Sequence, residues 1–493
     1  MYDFPNDNKE SHYFRTCAFF NGLVYNGSMR ITDMIRAIKL KREKLSPEQI
    51  IPGSFFIAIM VGTLLLMLPV ASASGSSTPF LTALFTATTS VCVTGLVVVD
   101  TYAHWSFVGQ LIIMLLVQVG GLGMITVASM LMMFTGKKFS LKDRMLLRDA
   151  FNLNTESRLL VFLGKVLKGT FLIEGIGVIF YAIRFIPEFG VRKGLWCAIF
   201  NSVSAFCNAG MDVIGPNSMG NYRNDPIVMT TTMLLIILGG IGFVVWFDVQ
   251  AKIAEGIRKR FSPIMVMERL EEHTKLVLSF TMVLLFGGMV VFLITEFNNP
   301  GTIGEMSIGG KLANSLFQSV TLRTAGFTTF PQENLSYASC IVSYILMFIG
   351  GSPVGTAGGI KTVTMFLLIM NVRTYVRHQD EKIIFHRRVS EESMRKASAV
   401  AFVGMTAVFV LTIILLMVNP VPMEDALYEV VSACGTVGLS RGLTSSLGTA
   451  GRIVIIVAMF LGRIGPISLV AFFSRSKTDT NIIKYSEGVF YVG

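Results

Sequence analysis

Charge is scarce in this chain of 493 residues. Asp, Glu, Lys and Arg make up 15% of it, where a soluble globular domain carries about 25%. That shortfall excludes an ordinary water-soluble enzyme. The six cysteines (Cys17, Cys92, Cys197, Cys207, Cys340 and Cys434) form no CxxC pair and have no histidine at ligand spacing, which argues against a zinc site. The five histidines make no HExxH. There is no GxxxxGK(S/T), no Rossmann fingerprint behind a strand and no catalytic dyad in the apolar segments. The chain therefore reads as a non-enzyme that carries no energy source of its own.

What is abundant is apolar sequence: 52% hydrophobic residues, a mean hydropathy of +0.62, and 46 glycines, too many for loops alone. Apolar runs cover 53–70, 106–134, 157–187, 227–250, 274–296, 337–372, 396–418 and 450–473, most near the ~20 residues that cross a bilayer core. The net charge of +11 would suit nucleic acid only on one soluble face. Instead the basic residues cluster between runs, as at Lys137, Lys138 and Lys142, at Arg258, Lys259 and Arg260, and at Arg387 and Arg388. The intervening connections 71–78 and 327–337 have no Lys or Arg. Such asymmetry places the basic loops in the cytoplasm, so we expect a multi-pass protein of the plasma (inner) membrane with both termini cytoplasmic and no nucleic-acid partner. The apolar stretch Tyr13–Tyr25 is too short to span and has no basic region ahead of it, so it reads as neither signal peptide nor spanning helix.

A fourfold repeat organises these runs. The segments ALFTATTSVCVTGL (83–96), AIFNSVSAFCNAGM (198–211), SLFQSVTLRTAGF (315–327) and ALYEVVSACGTVGL (426–439) share one pattern. Their glycines Gly95, Gly210, Gly326 and Gly438 are 115, 116 and 112 residues apart. Aromatics Phe85, Phe200, Phe317 and Tyr428 precede them by ten residues, or nine in the third. A second marker, Gly120-Gly121, Gly239-Gly240, Gly350-Gly351 and Gly462-Arg463, follows 24 to 29 residues later. Internal periodicity of this kind decides architecture. The expected fold is all-α: eight transmembrane helices and four re-entrant pore helices in four helix–pore loop–helix repeats around one central pore. The boundaries are a cytoplasmic arm at 1–46, repeats at 47–150, 151–265, 266–390 and 391–473, and a cytoplasmic tail at 474–493.

Irregular backbone at membrane depth is tolerated only where protein buries it or it lines a watery cavity. Four glycine tracts converging on an axis could turn carbonyls inward and replace a cation's hydration shell, helped by the negative ends of the short helices. Glycine accepts positive φ and keeps the axis clear. The simpler reading is that these glycines only pack helices; it accounts well for one such loop and poorly for four. The polar column Thr86, Asn201, Gln318 and Glu429 fits bracing of the tracts, a place facing the pore mouth, or ordinary hydrogen bonding to nearby backbone.

VCVTGL, FCNAGM, LRTAGF and GTVGL resemble the four filter loops of the Ktr/Trk/HKT superfamily of cation transporters, over roughly residues 50–473. The likeness is strongest to the membrane subunit of bacterial Ktr systems, since Trk-type relatives carry two additional N-terminal helices that residues 1–46 cannot supply. The resemblance implies a K⁺ pathway lined by the four glycines and by the backbone carbonyls of Val93, Thr94, Asn208, Ala209, Thr324, Ala325, Thr436 and Val437. A serine at the first glycine goes with Na⁺ preference in that family, and all four positions here are glycine. The resemblance further implies a homodimer controlled by a cytosolic ring subunit that binds ATP, ADP or NAD(H). The basic loops around Arg258–Arg260 and Arg387–Arg388 could dock that ring, although their role as topology signals is sufficient alone. Na⁺ as an activator stays open, and no covalent cofactor is expected.

The third inner helix departs from the others. From Tyr337 to Met370 it would span 34 residues, about 50 Å against a core of ~30 Å. Its middle, GGSPVGTAGGIKT, places Pro353 among Gly350, Gly351, Gly355, Gly358 and Gly359, which breaks a helix. The break is either a movable plug or a static kink; the resemblance favours the plug, since Ktr/Trk proteins have an intramembrane loop here. Arg463 replaces the second glycine in the fourth inner helix, too deep to reach either surface easily. A charge there needs carbonyl or carboxylate partners, and we expect it to pin the broken helix across the pore, with bracing as the other reading. The alternative function is a secondary active transporter coupled to Na⁺ or H⁺, but such proteins use inverted repeats and midplane ionisable groups. Here the repeats run parallel and Glu174 is the clearest buried acid.

Overall fold

In the computed structural model the described residues are 47–123, 159–215, 217–378, 383–385 and 387–465. The expected arm 1–46 and tail 474–493 lie outside them, as does the basic cluster after the second apolar run. The described part is helical apart from a two-residue β-hairpin pairing Ile383–Ile384 with Arg387–Arg388.

The first repeat supplies α1 (Pro47–Leu66), α2 (Phe80–Cys92) and α3 (Phe107–Leu122). The second supplies α4 (Leu159–Phe189), α5 (Val191–Cys207), α6 (Pro226–Gly240) and α7 (Phe243–Lys259). The third holds α8 (Glu272–Glu296), α9 (Ile308–Thr321), α10 (Tyr337–Phe348) and α11 (Thr362–Val376). The fourth holds α12 (Glu391–Val418), α13 (Met423–Gly435) and α14 (Thr449–Ile464).

Three helices, Phe162–Phe189, Glu272–Glu296 and Glu391–Val418, are each long and apolar enough to cross a membrane. They bury only a minor face and expose large apolar side chains, such as Ile183, Ile294 and Met417, as contact with lipid requires. The pair α6 and α7 reaches that length only together and is bent by 100° at Ile241–Gly242. The 227–250 run, expected as one helix, is therefore two. Gly242, with φ +92°, turns the chain there, a conformation open to glycine at little cost.

Polar caps begin three of the four inner helices. Ser106 accepts from the Gly109 amide, Asp225 from the Ile227 and Val228 amides, and Ser336 from the Ser339 amide. Each satisfies amides that a helix start leaves unpaired.

The short helices α2, α5, α9 and α13 form the core. Each packs against a helix of its own repeat and against the inner helix of the preceding one: α5 on α3, α9 on α6, α13 on α10, and α2 on α14. The last contact closes the circle. The aromatics Phe85, Phe200, Phe317 and Tyr428 are buried on these four helices and anchor them by apolar burial, ~2 kcal/mol or more each.

Candidate functional site

The four short helices end around one ring. Two residues before each glycine the backbone turns left-handed, at Val93 (φ 54°), Asn208 (61°), Thr324 (64°) and Thr436 (51°). Non-glycine residues take this conformation at a cost and rarely, so its fourfold recurrence is an imposed geometry. The glycines that follow are also positive: Gly95 at 100°, Gly210 at 66°, Gly326 at 82° and Gly438 at 91°.

The glycines need more than that freedom. A Cβ on Gly95 would stand 2.6 Å from the Ala209 carbonyl oxygen, one on Gly210 2.6 Å from that of Ala325, and one on Gly326 2.6 Å from that of Val437. On Gly438 it would collide with the Thr94 carbonyl. Each glycine thus faces the carbonyl before the next repeat's glycine, and the cycle closes from fourth to first. The twelve residues named from the sequence, Val93 to Gly95, Asn208 to Gly210, Thr324 to Gly326 and Thr436 to Gly438, come together here.

Sequence reasoning missed what supports this ring. The polar column it named makes no hydrogen bond to the ring tracts themselves, although the Glu429 partners Ser440 and Thr444 line the cavity beside the ring. The Asn201 amide donates to the Cys197 carbonyl in its own helix (2.8 Å), and Gln318 pairs with Gln332 (2.6 Å). Glu429 accepts from Ser440 (2.7 Å) and Thr444, while Thr86 is buried with its carbonyl accepting from Ser90 (2.6 Å). The hydroxyls three residues further on hold the loops. Thr89 Oγ1 accepts from the Gly95 amide (2.9 Å), and Ser432 Oγ from the Gly438 amide (3.1 Å). Ser204 Oγ accepts from the Met211 amide (3.1 Å), and Thr321 Oγ1 donates to the Phe327 carbonyl (2.7 Å). The signal was present: a hydroxyl stands four residues after each repeat aromatic.

The second glycine marker proves to be a packing device. A Cβ on Gly120, Gly239 or Gly462 would strike the carbonyl of Val91, Phe206 or Cys434 respectively, each four residues before its ring glycine. Small residues let these helices approach closely.

On one side of the ring lies a cavity of about 420 Å³, lined by all four ring glycines together with Asp100, Asp212 and Ser440 and, among the described residues, by no basic side chain. Asp212 sits in the loop beyond α5, where burial, with the neighbouring Asp100 charge adding to it, pushes its carboxyl up to about 6.

Beneath the other face sits the break between α10 and α11, residues 349–361. Its neck is tied by the Gly350 amide to the Ile360 carbonyl (2.8 Å) and the Thr362 amide to the Gly351 carbonyl (3.1 Å). Gly358 lies against the Thr436 side chain and Gly359 beside the Gly435 carbonyl. The tip engages the break in α6–α7: the Ser352 amide donates to Gly240 (2.8 Å), the Thr356 amide to Gly239 (3.1 Å), and the Phe243 amide to Val354 (3.0 Å). The Pro353 carbonyl fills the place a Cβ on Gly242 would take, and Gly355 lies against Gly239 and Gly240. Each interrupted helix supplies the hydrogen-bond partners that the other lacks. Arg463, on the last turn of α14, donates to the Thr356 carbonyl (2.5 Å) and to the Gly120 carbonyl of α3.

A closed ring of helix ends within a bundle whose long helices expose apolar faces defines a helical membrane protein. Residues 22–485 match the TrkH family, described as cation transport proteins. The chain belongs to this cation transport family. It is 38% identical to the potassium/sodium uptake protein NtpJ of Enterococcus hirae, over 88% of this chain and 94% of that protein. It is also 38% identical to the Ktr system potassium uptake protein B of Bacillus subtilis, over 92% and 98%. The crystal structure of the potassium transporter TrkH from Vibrio parahaemolyticus has the same fold, with a TM-score of 0.67 at 17% identity, covering 88% of this chain and 86% of that one.

Proposed function

We propose that the chain is the membrane subunit of a K⁺ uptake system and passes K⁺ through a channel-like pore on the axis of the glycine ring. The observation that carries this reading is the cyclic register of glycine against carbonyl, Gly95 to Ala209, Gly210 to Ala325, Gly326 to Val437 and Gly438 to Thr94. A closed set of backbone oxygens at fixed spacing can replace the water around a weakly hydrated cation. The acidic mouth cavity concentrates cations in front of it. The ring residues form the selectivity filter, and glycine at all four positions favours K⁺.

In this reading each of the four repeats contributes two of eight spanning helices and one re-entrant helix, and both termini are cytoplasmic in the plasma membrane. The loop 349–361 is the gate, held shut by Arg463. Opening requires an outside input, because the sequence has no nucleotide-binding motif. A cytosolic nucleotide-binding ring subunit responding to ATP, ADP or NAD(H) supplies it, docked on a homodimer of this chain.

Purified protein in liposomes, with and without its cytosolic partner, tests the reading under opposed K⁺ and Na⁺ gradients. We expect K⁺ flux that exceeds Na⁺ flux and needs no coupled ion. Absence of K⁺ flux under every activating condition, or strict dependence on a Na⁺ or H⁺ gradient, would overturn it.

A further inference from the structure

Arg323 is a second arginine at the loop, and the proposed gate does not use it. It stands in the third ring tract, one residue before the left-handed Thr324, and is only 7% exposed. Its side chain turns away from the ring, and Nη2 donates to the Gly350 carbonyl at 3.1 Å. Gly350 is the neck of the 349–361 loop, where Ile349 and Ile360 pair as a parallel bridge. Nη1 is buried with no hydrogen-bond partner. Arg323 lines a cavity of about 20 Å³ with Thr281 of α8, Gly240 of α6 and Gly351 of the neck. Thr281 is 6% exposed, and its Oγ1 is likewise without a partner. The rest of the lining is mainly apolar, with Ile236, Ile241, Leu285 and Val320; the pocket has room for one water, through which Nη1 and the Thr281 hydroxyl could pair.

We propose that Arg323 is a positioning residue that couples the ring to the loop, so that movement of the neck alters ion discrimination. Arg463 and Arg323 hold different ends. Arg463 ties the tip of the loop, at Thr356, to α3. Arg323 ties the neck to the backbone of the ring itself. When the neck moves, a buried guanidinium must either follow its carbonyl or lose it, and losing it leaves a buried charge unpaired. Following it drags Thr324, whose left-handed backbone sits in a narrow well with little room to absorb the shift. The Ala325 carbonyl, which faces Gly210, then moves with it. Discrimination in the third tract thus depends on whether the loop is seated.

The inference rests on the proposed function for the identity of the ion but not for the linkage, and the experiment separates the two. Full-length protein in nanodiscs and liposomes is compared as wild type, Arg463→Ala, Arg323→Gln and the double variant. With Arg323 intact, Arg463→Ala should change the K⁺/Na⁺ permeability ratio by about 3-fold or more. With Arg323→Gln the ratio should no longer respond to Arg463→Ala, and Arg323→Lys should restore part of the response. Hydrogen–deuterium exchange reads the linkage whatever the ion. Amides of 322–327 should exchange faster in Arg463→Ala, but not when Arg323→Gln is also present. An Arg463→Ala effect on the ratio or on exchange that is the same with and without Arg323 overturns the proposal. Should Arg323→Gln fail to insert, Thr281→Val keeps the shape of the pocket while removing its hydroxyl. It should weaken the same response, and a full response overturns the proposal equally. Loss of K⁺ flux with intact exchange coupling counts against the proposed function alone.

Discussion

Arg463 and Thr356 are joined by a 2.5 Å hydrogen bond from guanidinium Nη1 to backbone carbonyl, across 107 residues of sequence. With the second bond to Gly120, it fastens the loop between α10 and α11 to α3 from the far end of the fourth repeat. A hydrogen bond to a charged group contributes about 1.5–3 kcal/mol. Arg463→Ala should therefore raise basal K⁺ flux into liposomes roughly tenfold or more by shifting the loop's closed population. Lysine should restore part of the closure, having one donor site in reach at a time. Unchanged flux in a normally inserted protein would remove Arg463 from the gate.

Glycine at the ring is required by contact as well as by φ. Gly95→Ser places a Cβ against the Ala209 carbonyl and forces that oxygen or the whole loop to move. K⁺/Na⁺ discrimination measured by reversal potential should fall by ~10-fold or more, since the ring depends on the spacing of its oxygens. Gly210→Ala should act the same way through Ala325. A variant with its ratio intact would show that the carbonyl cycle does not select.

The bracing hydroxyls predict a graded effect. Thr89→Ala and Ser432→Ala each remove one acceptor for a ring glycine amide, about 1 kcal/mol per bond. We expect a several-fold loss of discrimination in each, with Thr89→Ser close to wild type. Equal behaviour of the Ala and Ser variants would show that the hydroxyl is not what matters.

Asp212 gives the mouth a pH dependence. Its carboxyl, raised by burial to about 6, is ionised above that value and neutral below it. Acidifying the outside from about 7 to about 5 thus removes a negative charge from the cavity. The apparent KM for K⁺ should rise by ~3-fold over that range with little change in maximal rate. Asp212→Asn should show the higher KM throughout and a flattened pH profile. An unaltered profile in that variant would place the titrating group elsewhere.

The helical membrane fold was legible in the sequence because long apolar runs and a repeat leave periodic marks. Gly95, Gly210, Gly326 and Gly438 recur at near-even spacing, each behind a buried aromatic, and lipid-facing helices must be apolar along their length. Pro353 amid five glycines disclosed the break in the third inner helix, since no helix holds such a stretch straight. Arg463 was visible as a charge midway along an apolar run, far from its ends.

Three things were decided only by tertiary structure. The first is which polar residues brace the ring. The sequence singled out Thr86, Asn201, Gln318 and Glu429 and passed over Thr89, Ser204, Thr321 and Ser432, whose hydroxyls bond the ring loops; only the direction each side chain takes from its helix separates the two sets. The second is the bend at Gly242. Its apolar run reads as one helix, and it breaks because the Gly239 and Gly240 carbonyls find partners in Ser352 and Thr356, more than 100 residues away. The third is the closing of the circle, with Gly438 against Thr94 and α14 against α2. One-dimensional sequence records what each repeat is made of. How the fourth meets the first depends on the shapes of all four, which only packing resolves.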